Sequence, residues 1–391
     1  MKRFLAGFLT LVLLLTGITL AASADTWEDF DAHLKYEGDK VYYIESDGSV
    51  FKGGWKKTVI TKTWTDEDGS TYTNTYDNWI YAKEDGALAK DEWLELGGKW
   101  YYFGWVQMAT GTIQVKDTYY LLGQDGAWTG ASAKNAGWVK SGNDWYYLEI
   151  YSNEDYSDGY FYWDGTAKID DTLYFFDKTG KLASAGWQKT SWTDYSDGTT
   201  YNTWYYVYSD GTAATGWKQI DGTWYYFSDW GSMARDGVWW MEDESKYAFR
   251  SSGALVEDGW YKQSWTYEGE TYSNWYYAGK DGKLVTGWKQ IDGTWYYFWD
   301  GGSMAQNSWL CTDDEGKTWY YFDKNGAMVS GGWQKIDDYW FYFDKDGVQV
   351  MNSWVKDGDS WYYVEDSMLK DGTFTIEGKE YTFDANGVWI K

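Results

Sequence analysis

The feature that most constrains this chain is a recurring slot. Three aromatic residues are followed, seven positions after the first, by glycine. It reads Trp204-Tyr205-Tyr206 with Gly211, and recurs from Trp224 with Gly231, Trp275 with Gly282, Trp295 with Gly302, Trp319 with Gly326 and Trp340 with Gly347. Degenerate copies start at Val41, Trp79, Tyr119, Leu173, Lys246 and Glu380, and Trp100, Trp145 and Trp361 open the triplet but miss the glycine. That makes about 15 copies, many spaced by about 20 residues, and such a period signals a stacked array of small units. Segments 215–227 and 286–298 are identical.

Each copy reads as a β-hairpin. In Trp217-Lys218-Gln219-Ile220-Asp221-Gly222-Thr223-Trp224-Tyr225-Tyr226, Asp-Gly is a two-residue turn between aromatic, strand-favouring runs. Folding about it opposes Ile220 to Thr223, Gln219 to Trp224, Lys218 to Tyr225 and Trp217 to Tyr226. Strand alternation then puts Trp217, Trp224 and Tyr226 on one face, with Tyr225 and Phe227 on the other. A hairpin that is aromatic on both faces is marginal alone and must stack on its neighbours. Stretches 55–79, 187–204 and 260–275 insert Thr, Asp, Gly and Tyr before the triplet and read as extended hairpins. Segment 243–253, with Lys246 in the Trp slot, reads as a degraded repeat. No sustained 3.6-residue apolar period suggests a helix. The expected fold is all-β: a solenoid of stacked aromatic-rich hairpins of about 20 residues, three of them extended.

Composition narrows the function. The chain has 391 residues, 32 Trp, 39 Tyr and 16 Phe, no Pro, one Cys, one His and a net charge of −26. Cys311 alone makes neither an internal disulfide nor a Cys-based zinc site. With His33 the one histidine, a His-rich metal site is excluded. The acidity speaks against a nucleic-acid partner, which requires clustered Lys and Arg. Residues 1–24 read as a signal peptide: a basic Lys2-Arg3 start, an apolar stretch, and Ala22-Ser23-Ala24 before Asp25. With no later transmembrane anchor, residues 25–391 are expected to be exported as one repeat domain with no catalytic domain. The acidic turns 66–69 and 313–316 lack the alternating spacing of a calcium loop. No metal and no cofactor are expected.

Gly-Trp, a second Trp seven residues on that opens Trp-Tyr-Tyr-Phe, then Gly-x-Met before the next Gly-Trp: this pattern resembles the choline-binding, or cell-wall-binding, repeat family of Gram-positive surface proteins. The resemblance spans about residues 36–391 and is sharpest over 204–235 and 275–365. It implies a β-solenoid whose ligand is the choline of teichoic acid, held in aromatic cages between hairpins. Related repeats in glucan-binding domains and clostridial toxin tails imply carbohydrate instead.

The physics of a cage agrees. A quaternary ammonium donates no strong hydrogen bond, so ring faces recognise it. Trp pairs seven apart occur at Trp93/Trp100, Trp138/Trp145, Trp217/Trp224, Trp288/Trp295, Trp333/Trp340 and Trp354/Trp361, and Trp309/Trp319 is a wider pair. The family implies a third wall from the first Tyr of the following triplet. That assigns Trp288, Trp295 and Tyr320; Trp333, Trp340 and Tyr362; and Trp354, Trp361 and Tyr381. It further assigns Trp217, Trp224 and Tyr247, then Trp93, Trp100 and Tyr120. Trp309 and Trp319 receive Phe341, which keeps the π-face and loses the hydroxyl. Met233 and Met304 take the place of a cage-rim Met, or fill space under the loop.

The expected function is a secreted, non-catalytic protein, non-covalently attached to the bacterial cell wall by several choline cages acting together. The same rings could instead stack on sugars, so a glucan or host-glycan module is the alternative. A hydrolase needs only two carboxylates, but no segment leaves the repeat to build a pocket.

Overall fold

The computed structural model describes residues 28–65, 71–152, 157–194 and 198–390. The signal segment 1–24, the turn 66–69 and tip residues 195–197 lie outside them. The chain divides into two compact units, Met1–Thr215 with Asp229–Ser232, and Gly216–Ser228 with Met233–Lys391.

Both units are built of hairpins, and the described strands form fifteen small antiparallel sheets. The register in Gly216–Ile220 and Thr223–Phe227 pairs Trp217 with Tyr226, Lys218 with Tyr225, Gln219 with Trp224 and Ile220 with Thr223, as alternation requires. Asp221 and Gly222 both take positive φ (49° and 79°), the turn whose twist suits a two-residue hairpin. The three long hairpins pair Gly54–Thr65 with Thr71–Ala82, Gly186–Thr193 with Thr200–Val207, and Gly259–Tyr267 with Glu270–Ala278. Lys246 lies in a true hairpin, Gly237–Trp240 with Lys246–Phe249.

Within each unit the hairpins stack as a β-solenoid. Its core is the residue that follows each triplet: Phe103 and Phe176 in the first unit, and Phe227, Phe249, Phe298, Phe322, Phe343 and Phe383 in the second, are almost completely buried. Burying one such side chain contributes roughly 1.5–3 kcal/mol. After each triplet the chain turns on an Asp and the slot glycine. Asp344 Oδ1 accepts the N–H groups of Asp346 and Val348, both at 2.9 Å, and Asp323 and Asp384 cap their turns likewise. The residue two beyond the glycine then bonds back to the preceding hairpin. The N–H of Leu255 donates to the carbonyl of Trp224, Met304 to Trp275, Met328 to Trp295 and Gln349 to Trp319, at 2.7–2.9 Å, and Met368 does the same to Trp340 from a turn without the glycine.

The glycine is there for two reasons. Gly326 has φ +82°, and a Cβ on it would collide with the Met304 side chain of the preceding turn. Gly326→Ala is therefore expected to destabilise the second unit by about 1–3 kcal/mol, from backbone strain plus overpacking, as read by urea unfolding.

Where the slot lacks glycine, the structure departs from a plain hairpin. After Phe103 the chain adds a third strand, Gln107–Met108; after Leu148 it runs on and returns as Ser157–Phe161. The repeat at Tyr119 keeps Gly126 and still adds a third strand, Trp128–Ala133. The repeat opened by Trp361 shortens its turn so that Val364 bridges Met368 directly. There Gln349 replaces the usual Met or Leu, and its buried amide donates to the Asp366 carbonyl at 2.7 Å.

One expectation needs correction. A single helical turn, Glu28–Asp31, precedes the first hairpin. It buries Phe30 against Val41, Tyr43 and Ile60. Four residues are too few for periodicity to reveal, and tertiary burial of Phe30 holds them. Among the described residues no helix is long and apolar enough to cross a membrane.

Candidate functional site: ring clusters between hairpins

Register creates the sites. The first Trp of a hairpin and the second Trp lie diagonally on one face, because the second opposes the residue two beyond the first. Stacking lays that face on the opposite face of the next hairpin, which presents a Tyr and the core Phe.

Trp288 stands 6.3 Å from Trp295 at 84° and 4.8 Å from Tyr320 at 71°, with Phe322 behind it at 5.5 Å. Trp309 is 6.4 Å from Trp319 and 4.9 Å from Phe341. Trp354 is 6.5 Å from Trp361 and 5.0 Å from Tyr381. In these three clusters the first Trp meets both of the other sequence-assigned rings, at 63–84°. Trp389 adds a fourth ring to the last, 5.6 Å from Trp354 and 5.9 Å from Tyr381.

In three more clusters the first Trp meets the next hairpin's ring. Trp217 is 4.7 Å from Tyr247, Trp333 is 5.0 Å from Tyr362, and Trp93 is 5.0 Å from Tyr120. Trp224 and Trp340 stand on the same face as their partners, along the strand diagonal. Trp128, from the extra strand, joins Trp93 and Tyr120 at 6.2 and 6.1 Å, while Trp100 stands exposed.

Sequence reasoning missed two equivalent clusters. Trp55 meets Trp79 at 6.4 Å and Tyr101 at 5.0 Å. Trp260 meets Trp275 at 6.2 Å and Tyr296 at 5.1 Å. Both Trp pairs flank long hairpins, so their sequence distance hides their diagonal. The signal was the register itself, which opposes Lys57 to Trp79 and Lys262 to Trp275. Trp138 and Trp145, noted as a pair, meet at 6.4 Å, and Tyr174 closes on Trp138 at 4.9 Å.

Met233 and Met304 are buried, beneath Gly253 and Gly326 of the following turns, so the structure places them as packing between repeats. Cys311 lies opposite Trp319 and donates to the Asp313 carbonyl at 3.2 Å. His33 stacks on Tyr43 at 5.1 Å and hydrogen-bonds the Ile44 carbonyl. At the acidic turn, Asp313 Oδ1 accepts N–H groups from Glu315 and Lys317, both at 3.0 Å.

A model of the choline-binding repeat matches residues 214–260, 285–332 and 329–370, and a putative cell wall binding repeat matches 91–104 and 136–149. These segments are thus similar to choline-binding and cell wall binding repeats. The clusters at Trp217, Trp288, Trp309 and Trp333 lie wholly inside the matched choline-binding segments. Among curated proteins, the chain is similar to Glucosyltransferase-S of Streptococcus mutans serotype c, 25% identical over 315 residues covering 70% of this chain and 20% of that one. It is also similar to Glucosyltransferase-S of Streptococcus downei, 28% identical over 254 residues, 58% of this chain and 17% of that one. The chain thus spans a fifth or less of the length of these relatives. Among solved structures it is similar to CbpJ from Streptococcus pneumoniae TIGR4, with TM-score 0.40 and 23% identity over 86% of this chain and 100% of that one. Choline binding protein F from Streptococcus pneumoniae has TM-score 0.38 and 21% identity, over 92% and 98%.

The hairpins differ in what faces the second Trp. Lys140 Nζ lies 5.5 Å from the Trp145 ring, Lys262 5.5 Å from Trp275 and Lys356 5.9 Å from Trp361. Opposite Trp224 and Trp295 stand Gln219 and Gln290, whose amides turn away to the Gly222 and Gly293 carbonyls at 3.3 and 3.2 Å.

Proposed function

We propose that the chain is a secreted, non-catalytic surface protein that attaches to choline-bearing cell-wall polymer through several aromatic cages at once. The observation that carries this reading is Trp288 standing edge-on to both Trp295 and Tyr320 inside a matched choline-binding repeat. Three ring faces around one trimethylammonium supply roughly 2–5 kcal/mol, millimolar affinity per cage. Several cages on a polymer that repeats its ligand make later contacts intramolecular, and avidity follows. The net charge of −26 favours a cationic head group.

The test is retention on an immobilised choline analogue in about 1 M salt, where simple charge attraction is screened. The expected result is retention, with release by free choline at unchanged salt. Flow-through at that salt contradicts the reading.

The lysines grade the cages. A Lys ammonium over the second Trp competes with the ligand cation for the same π-face and repels it. Lys356→Gln is expected to tighten choline at Trp354/Trp361/Tyr381 by about two- to fivefold, equivalent to about 0.5–1 kcal/mol. Gln290→Lys should weaken the Trp288/Trp295/Tyr320 cage by a similar factor. Choline titrations of the two variants by calorimetry check both signs.

A second reading keeps the same rings and changes the ligand to glucan. It is favoured by the similarity to two proteins named glucosyltransferases.

A further inference from the structure

The three long hairpins share a feature that the cages do not use. Each carries Ser/Thr-Trp-Thr on its first strand and Thr-Tyr on its second: Thr63-Trp64-Thr65 with Thr71-Tyr72, Ser191-Trp192-Thr193 with Thr200-Tyr201, and Ser264-Trp265-Thr266 with Thr271-Tyr272. The register makes the Trp and Tyr direct cross-strand partners in all three. In the two whose side chains are described, the rings stack face to face. Trp192 and Tyr201 are 4.7 Å apart at 19°, and Trp265 and Tyr272 6.1 Å apart at 21°. All four rings are exposed, Trp192 at 58%.

Their position explains the exposure. Each tip Trp sits on the face opposite the cage Trp of its own hairpin, the face that packs on the preceding repeat lower down. The preceding hairpins are short, with strands Gly165–Ile169 and Gly237–Trp240. The long hairpins overrun them by roughly three to five residues, about 10–17 Å, so the face is left uncovered.

We propose that these tips are a second class of binding site, for a neutral oligosaccharide. The side chains around the pair define the chemistry. Beside Trp192/Tyr201 on the same face lie Thr190 and Thr203; beside Trp265/Tyr272 lie Gln263 and Asn274. Ser191 donates to Asn202 Oδ1 at 2.7 Å, and Thr193 and Thr200 share a hydrogen bond at 3.0 Å on the reverse face. A flat ring edged by hydroxyls and amides suits a sugar, which offers C–H bonds to the ring and hydroxyls to its border. Protein hot spots instead centre on an apolar, water-excluding patch, and no aliphatic residue lies within 190–193, 200–203, 263–267 or 270–274. Asp194, Glu268 and Glu270 lie at the described tips and disfavour an anionic glycan and a second copy of this chain. Rings stacked this closely leave no gap for an ammonium between them, so the ligand lies on their outer faces.

The experiment uses the full chain saturated with choline, so that the cages are silent. Neutral pentasaccharides of glucose, galactose and N-acetylglucosamine are titrated by calorimetry. The expected result is millimolar-or-tighter binding of at least one, weakened at least tenfold in Trp192→Ala/Trp265→Ala. The choline titration of that variant should match the parent. Should the double alanine variant lose its tip structure, as judged by proteolysis, Trp192→Phe/Trp265→Phe keeps the cross-strand pair, and a severalfold weakening is expected. No binding by any probe, or binding unchanged in the variants, overturns the proposal and leaves the pairs as braces of long hairpins. A parent that binds no choline but binds sugar at the tips contradicts the cage reading alone.

Discussion

A chain carrying alanine in place of Trp224, Trp295, Trp319, Trp340 and Trp361 is expected to lose about 10²–10⁴-fold in affinity for choline-bearing wall polymer while keeping its fold. These are the second walls of their clusters. Four of them are exposed, Trp295 at 42%, so their rings contribute recognition area more than core. Removing one deletes at least one face from a cage of marginal affinity. Removing five leaves too few sites to act together. The core Phe spine and the turn-to-carbonyl bonds, which donate to the main chain of these tryptophans, are untouched. Sedimentation with purified walls reads the affinity, and far-UV circular dichroism with a thermal melt reads the fold. Wild-type wall binding by the fivefold variant would mean that attachment does not run through the ring clusters.

Phe322→Ala is expected to have the largest effect on stability, about 3–5 kcal/mol. Phe322 is completely buried and stands 5.5 Å from Trp288 and 6.2 Å from Tyr297 of the preceding hairpin. Its removal opens a cavity behind one cage and loosens both neighbouring repeats, because stability in a stacked array is a sum of nearest-neighbour terms. Urea unfolding should show a lowered midpoint for the second unit. Choline affinity at Trp288/Trp295/Tyr320 should fall with it, since Phe322 backs the first wall. A loss below 1 kcal/mol would show that the stack collapses around the void.

Much of this arrangement is legible in the residues. Asp221-Gly222 sets the turn, and the turn sets which residues oppose each other. Alternation then dictates that Trp217 and Trp224 share a face. The ring that closes on Trp288 is named as Tyr320 by the family resemblance, and the two rings meet at 4.8 Å. The same logic located the long hairpins, since Thr-rich inserts cannot join the aromatic stack. What escaped depends on neighbours rather than on local pattern. Trp128 reaches Trp93 and Tyr120 because an extra strand brings it there, and nothing in its own segment announces that strand. Trp389 occupies a slot that holds Met or Leu in most repeats, and the sequence pattern assigned it no wall. Trp260 and Trp275 were read as the two ends of one extended hairpin, but the insert between them hid that their strand diagonal is the ordinary one. Gln349 became intelligible only beside the shortened turn at Asp366, whose carbonyl takes the amide.

The most direct test of the central claim is a titration of the protein with choline followed by Trp fluorescence, with glucose oligomers in parallel. The account predicts saturable quenching by choline in the millimolar range, removed stepwise as Trp295, Trp361 and their counterparts are replaced. Fluorescence indifferent to choline, with or without a response to the sugars, would contradict it.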